Sequence, residues 1–274
     1  MYFYLYDGFL QDKKYSKLLG EIEARLIDLS IQGKTARLHM LHDMKEMISD
    51  EVKRGAGTVV VLGDDKTVTK AINAIADLNI TLGIIPIGEN NILADYLGIP
   101  FGLLACDVLS KRVKEKIDVA KVNSNYFAFY LKALSPYIKI VSQNGEYAIS
   151  PIKNNVEIYI CNFKPKELAE EALNQPSFFV PQDGRLEAVI KGISNTSLLG
   201  KILFKNSENI GDCTILPFTT IRLEASVADQ DVRLMLDGDK IIKPPVTITV
   251  LPNKVSVIVG KSRGFYGGVT MTPH

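Results

Sequence analysis

Two short apolar runs, roughly twenty residues apart, limit what this chain can fold into more than any other feature. Val59-Val60-Val61-Leu62 ends abruptly at Gly63-Asp64-Asp65-Lys66-Thr67, and Leu82-Gly83-Ile84-Ile85-Pro86-Ile87 ends at Gly88-Glu89-Asn90-Asn91. Runs that are apolar at successive positions and rich in β-branched residues have no solvent face, so they read as strands of a parallel sheet covered on both sides. A helical pattern from Thr67 to Leu78 follows the first loop directly. Open α/β sheets take their ligands beyond the carboxyl ends of the strands. The two loops are therefore the first candidates for a ligand site, and a nucleotide or other anion is the first ligand to consider.

The sequence around these runs alternates strand and helix from Tyr2 to about Pro100. Leu18, Leu19, Ile22, Leu26 and Leu29 recur at helical spacing with charged residues on the other faces, and a second helical stretch from Asp43 to Arg54 closes on Gly55-Ala56-Gly57. A short segment from Thr35 to Leu41 separates them. After about Asn123 the texture changes to short β-type runs: 137–142, 146–149, 156–161, 186–190, 219–225, 232–236, 246–251 and 255–259. Several are bounded by Asn-Gly, Asp-Gly, Pro-Pro or Pro-Asn turns, as in an antiparallel sheet or sandwich. Short helices are expected at 165–174 and 197–205. The reading is an α/β domain with a parallel sheet over 1–123 and an all-β sandwich over 124–260. A glycine-rich segment, 261–274, is either a mobile tail or a return to the first domain.

With 274 residues the chain can bury a core without disulfides, and Cys106, Cys161 and Cys213 lie far apart without CxxC spacing, as buried thiols in a reducing compartment would. A net charge of +1 and the absence of a basic block argue against a nucleic-acid partner. Met1–Asp7 lacks the charged and cleavable regions of a signal peptide and reads as a first strand. No apolar run is long enough to span a bilayer, so the expected location is cytoplasmic with at most peripheral membrane contact. His39 and His42 share a spacing of three without further ligands nearby, and Lys111–Lys116 reads as the solvated face of a helix before it reads as a lipid-headgroup patch. An exposed edge strand in the β domain would allow a homodimer.

Gly63–Thr67 occupies the right place for a phosphate loop, between a strand end and a helix start, but its composition resists that role. Cradles depend on close backbone N–H groups, and here only Gly63 lacks a Cβ. Adjacent carboxylates also repel an anion, by roughly 4 kcal/mol per unit charge at about 4 Å and an effective dielectric near 20. The bland alternative is a tight turn in which Asp64 or Asp65 caps the helix. Gly88–Asn91 alone is a loop with a cap, and Asp237-Gly238-Asp239 alone is a hairpin turn.

Taken together, Gly63–Thr67, the segment Leu82–Pro100 and Leu236-Asp237-Gly238-Asp239 resemble the diacylglycerol kinase catalytic-domain family, which includes bacterial lipid kinases and sphingosine kinases and is related to NAD kinases. Weaker matches are Asp118–Asn123 with Tyr126-Phe127, and Pro181–Glu187, so the resemblance spans nearly the whole chain. It implies a nucleotide-binding α/β domain, a β-sandwich acceptor domain, and a cleft where ATP and Mg²⁺ meet a lipid or lipid-like hydroxyl. Gly63, Asp64, Asp65, Lys66 and Thr67 would then occupy the family's Gly-Gly-Asp-Gly-Thr loop, with Asp65 at its essential acid. Gly88, Glu89, Asn90 and Asn91 would occupy Gly-Thr-Gly-Asn. Asp237, Gly238 and Asp239 would occupy Asp-Gly-Glu, with Asp239 as the general base. Asp183 and Asp237 would stand at metal-associated positions.

The departures are substantial. Asp64 and Lys66 replace glycines, Gly88–Asn91 loses the Thr and the second Gly, and Tyr6–Gln11 stands where the family carries Asn-Pro-x-Ser-Gly. The resemblance thus leaves two functions in competition: a kinase rebuilt around Lys66 and a metal, or a catalytically inactive member that binds a nucleotide, lipid or protein in the cleft. NAD kinase-like activity is a third, with less support from Asp237-Gly238-Asp239.

Overall fold

The computed structural model describes residues 1–38, 43–151, 156–165, 168, 178–192, 213–227 and 231–264. The strands are β1 (Tyr2–Tyr6), β2 (Lys34–Arg37), β3 (Thr58–Gly63), β4 (Thr81–Pro86), β5 (Lys114–Val122), β6 (Asn125–Phe127), β7 (Tyr130–Ala133), β8 (Ile138–Ser142), β9 (Ala148–Ile149), β10 (Val156–Cys161), β11 (Leu186–Gly192), β12 (Cys213–Phe218), β13 (Thr220–Ala225), β14 (Leu234–Leu236), β15 (Lys240–Ile242) and β16 (Val246–Ile258). The helices are α1 (Ser16–Asp28), α2 (Met44–Lys53), α3 (Asp65–Ile75), α4 (Ile92–Tyr96) and α5 (Ala105–Lys111).

In the first domain β2, β1, β3 and β4 run parallel in that order. β1 and β4 are buried at every position and β3 at all but its first, which requires cover on both faces; α1 packs with α5, and α2 with α3. The register places Tyr6 beside Leu62 and Gly63 beside Pro86, so the loops after β1, β3 and β4 emerge side by side at one end of the sheet. Both apolar runs are thus the buried parallel strands that their composition predicts.

The second domain is an antiparallel sandwich. One layer, in the order β12-β11-β10-β7-β14-β15, faces the antiparallel part of the larger sheet, formed by β9, β8, β13, β16, β5 and β6. Their shared core is built from alternate residues: Ala120 and Val122, Leu131 and Ala133, Ile158 and Ile160, Leu186 and Ala188, Ile221 and Leu223, Val246, Ile248 and Val250. Period-two burial is what a sheet with one covered face demands.

The runs 246–251 and 255–259, expected as two strands, form the single strand β16. Pro252-Asn253 is a bulge within it: the register on β5 shifts between Leu251 and Val255, Asn253 takes φ +52°, and its N–H donates to Asp118 at 2.7 Å. Before the bulge β16 pairs with β13, and after it Ser256 and Val257 pair in parallel with Thr81 and Leu82 of β4. One strand therefore belongs to both domains. Lys111–Lys116 is likewise only partly helical: α5 ends at Lys111, Arg112 takes φ +54°, and β5 begins at Lys114. The expected helix 197–205, most of 165–174, His39 and His42 lie outside the described residues. No described helix is long and apolar enough to cross a membrane.

Candidate active site

The three loops at the strand ends are tied to one another by their own side chains. Asp64 is the N-cap of α3, its Oδ1 accepting from the N–H of Lys66 at 3.1 Å and of Thr67 at 3.2 Å. The Asp65 N–H donates to the Asn90 carbonyl at 2.9 Å, and the Asp65 carboxylate accepts from the N–H of Ile92 at 2.8 Å and of Leu93 at 3.1 Å. Asp65 thereby sits at the start of α4 and locks the second loop to the first. Thr67 is fully buried and its hydroxyl donates to Asp7, whose other oxygen accepts from Phe9 N–H at 3.1 Å. A Cβ on Gly63 would come within 2.6 Å of Thr67 Oγ1, so glycine there is what lets the first turn of α3 close on the end of β3. Gly88 takes φ +108° beneath the Phe9 ring, and Asn91 Nδ2 donates to its carbonyl at 3.1 Å.

These bonds decide the electrostatics. Free N–H groups at a helix start are what make it attract an anion. Here the N–H groups of Asp65, Lys66 and Thr67 at the start of α3, and of Ile92 and Leu93 at the start of α4, already have carboxylate or carbonyl acceptors from the chain itself. The repulsive pair Asp64-Asp65 is thus a pair of caps, one for each helix, and Lys66 is left exposed beside them.

Next to these loops lies a cavity of about 920 Å³, lined by Asp7 and Phe9, Asp43 to Lys45 at the start of α2, Lys70 and Asn73 of α3, Asn125 and Tyr126, and Leu236, Asp239 and Lys240 of the β14–β15 hairpin. Asn73 joins the two domains across its floor: it accepts from Tyr126 N–H at 2.9 Å and donates to the Tyr126 carbonyl at 2.7 Å. The Tyr126 hydroxyl donates to Asp77 at 2.6 Å.

Asp237 and Asp239 occupy one turn and differ completely. The Asp237 carboxylate accepts from the N–H groups of Ala128, Phe129 and Tyr130 at 2.9, 2.9 and 3.0 Å, clamping the link between β6 and β7. Burial pushes its carboxyl up to about 6, against these three donors, which favour the anion. The Asp239 side chain is exposed to the cavity and has no partner among the described residues; only its N–H is engaged, with the Leu236 carbonyl at 3.0 Å. Asp183 is exposed on another turn and accepts from Arg185 N–H at 2.9 Å, while Gly184 N–H donates to buried Asp118 at 2.8 Å. Gly63 to Thr67 and Gly88 to Asn91 thus gather in one cluster, Asp239 faces the cavity beside it, and Asp183 and Asp237 are held in turns of their own. Among the described residues no three His, Cys, Asp or Glu side chains are grouped to hold a metal ion. Sequence reasoning missed Asp7, Lys45, Lys70 and Asn73; the spacing of Lys66, Lys70 and Asn73 on one helix following a candidate loop was the available signal.

A parallel α/β domain joined to an antiparallel sandwich through a shared strand, with a polar cleft between them, defines the NAD kinase and diacylglycerol kinase type of fold. Its structural counterparts include a diacylglycerol kinase from Bacillus anthracis str. Sterne, at TM-score 0.74 and 17% identity over 96% of this chain and 97% of that one. An NAD kinase from Archaeoglobus fulgidus in complex with ATP aligns at TM-score 0.55 and 11% identity, over 96% and 95% of the two chains. In sequence, the diacylglycerol kinase of Bacillus subtilis (strain 168) is 23% identical over 262 residues, covering 83% of this chain and 84% of that protein. A putative lipid kinase of Streptococcus pneumoniae serotype 4 is 26% identical over 237 residues, 73% of this chain and 77% of that protein. Residues 7–122 match the model of the diacylglycerol kinase catalytic domain.

Proposed function

We propose that this protein transfers the γ-phosphoryl group of ATP to a hydroxyl of a lipid or lipid-like acceptor, in the cleft between the two domains. The observation that carries this reading is Asp239, an unpartnered carboxylate on a cavity that also offers cations and apolar surface. In the reaction the acceptor oxygen attacks the γ-phosphorus, the bond from phosphorus to the bridging oxygen of ADP breaks, and Asp239 takes the acceptor's proton. Such transfer needs positioning and charge neutralisation more than covalent help from the protein. Phe9, Leu38, Met44 and Leu236 give the cavity an apolar side suited to an amphipathic acceptor, held against the sandwich domain of residues 124–260. A cytoplasmic enzyme meeting its acceptor at a membrane surface fits this arrangement.

Among the described residues no acidic cluster forms a Mg²⁺ cage, so an ion would be held by at most one or two carboxylates together with the nucleotide phosphates. Asp65 and Asp237 have both carboxylate oxygens engaged by backbone N–H groups, and no acidic cluster replaces them among the described residues. No step is assigned to a protein-held metal. The test is a screen for transfer of labelled γ-phosphoryl from ATP to diacylglycerol, sphingoid bases, other lipid alcohols and NAD. Transfer to a lipid alcohol is expected; labelling of NAD alone would move the protein to the NAD kinase activity, and no transfer to any acceptor would overturn the proposal.

A second reading, a non-catalytic member binding a ligand in the same cleft, is favoured by one observation: the amides at the starts of α3 and α4 are already occupied by the chain. It is separated from the first by saturable lipid or nucleotide binding without turnover.

A further inference from the structure

With the amides at both helix starts occupied, a phosphoryl group in this cleft has to be held by other donors, and the cavity contains few that are free. Its lining carries three carboxylates, Asp7, Asp43 and Asp239, and three ammonium groups, Lys45, Lys70 and Lys240. Asp7 is engaged by Phe9 N–H and the Thr67 hydroxyl, and Asp43 caps α2 by accepting from Lys45 N–H at 2.8 Å. Lys240 Nζ donates to Asn125 Oδ1 at 2.5 Å. Lys45 and Lys70 make no ion pair or side-chain hydrogen bond among the described residues. The Asp77 carboxyl is lowered first by the Tyr126 hydroxyl and then by the charges of Lys254 and Lys45, but the three N–H donors of each ammonium are left for the cavity that Lys45 and Lys70 line with Asp239.

We propose that phosphate recognition in this cleft has passed from backbone amides to side chains, with Lys45 of α2 and Lys70 of α3 forming a two-lysine clamp for the phosphoryl group beside Asp239. The location rests on the reading of the cleft as a phosphotransfer site; the binding of an anion by the clamp does not depend on turnover. A side-chain clamp also explains how the loops retain Asp64 and Lys66 where close amide approach would need glycine. Two free ammonium groups provide the neutralisation that the capped helix starts no longer supply, in the same cavity that Asp239 lines.

The experiment is calorimetric titration of the full chain with sodium tripolyphosphate, at low and at moderate ionic strength. It is run on wild type, Lys45→Met, Lys70→Met and Lys70→Arg, with Lys17→Met on α1, whose side chain is 90% exposed, as a remote control. Thermal denaturation of each variant checks folding. Saturable binding is expected, weakened about tenfold by Lys45→Met and by Lys70→Met, largely kept by Lys70→Arg and by the control, and less sensitive to salt in the two Met variants. Displacement of tripolyphosphate by ATP would identify the clamped group as nucleotide phosphate, and displacement by glycerol 3-phosphate would identify it as headgroup phosphate. Wild-type binding unchanged by Lys45→Met and Lys70→Met, or no binding at millimolar tripolyphosphate, would overturn the clamp. Lysine-independent binding together with lipid phosphorylation would sink the clamp and leave the kinase reading standing. Lysine-dependent binding without transfer to any acceptor would do the reverse.

Discussion

Two aspartates separated by one glycine divide the work of the β14–β15 turn. Asp237 holds three backbone N–H groups of the β6–β7 link, and replacing it with Asn leaves one carbonyl oxygen for three donors, with an NH₂ group facing some of them. Asp237→Asn is expected to cost about 2–3 kcal/mol in urea unfolding, from unsatisfied buried donors; a cost below about 0.5 kcal/mol would show that the link is held by other means. Gly63 shows the same economy of space. Gly63→Ala places a methyl carbon within 2.6 Å of Thr67 Oγ1, so the hydroxyl has to move and the bond to Asp7 breaks. A loss of about 1–3 kcal/mol is expected, as for overpacked cores, and unchanged stability would contradict this packing account. At this scale the sequence was partly legible. The candidates near the loops could be listed because glycine and acid residues interrupt apolar strands, but whether a carboxylate caps a helix or faces a ligand depends on bonds between distant residues, 109 positions apart for Asp237 and Ala128.

At the scale of the elements, β11 carries a buried acid that makes stability depend on pH. Glu187 is 1% exposed, and burial, reinforced by the charge of Asp183, pushes its carboxyl up to about 8 from 4.5. Between these values the folded chain holds a proton that the unfolded chain has released. The contribution is therefore present in full at acid pH and is lost as pH rises through about 8, with a slope approaching about 1.4 kcal/mol per pH unit. Glu187→Gln should flatten this decline, melting higher than wild type at pH 8.5 and close to it at pH 5; parallel pH profiles for the two proteins would contradict the assignment. Element types were readable where one period dominated, as in α1 and α2, or where a short run was apolar throughout, as in β3 and β4. β16 was read as two strands because Pro252-Asn253 has the local chemistry of a turn, and only the N–H bond to Asp118 and pairing on both sides carry the strand through it.

For the molecule as a whole, the fold type was legible before the way its halves are joined. Alternating strand and helix, followed by period-two runs, specify a parallel α/β unit and an antiparallel sandwich. That β16 runs through both the parallel and the antiparallel part of the larger sheet, and that Asn73 pairs with the backbone of Tyr126 across the cleft, are long-range facts that no local pattern records. The cleft follows from this join, which brings Asp239 of the β14–β15 turn to the same cavity that α2 and α3 line with Lys45 and Lys70. The central claim is that Asp239 is the base of this cleft and Asp237 its scaffold. The most direct measurement is single-turnover transfer from ATP to a diacylglycerol acceptor by wild type and Asp239→Asn, with ATP affinity and melting temperature recorded for both. The account predicts unchanged melting and ATP affinity with transfer slowed about 10²–10⁴-fold, the range for loss of a general base. Transfer by Asp239→Asn at the wild-type rate would contradict it.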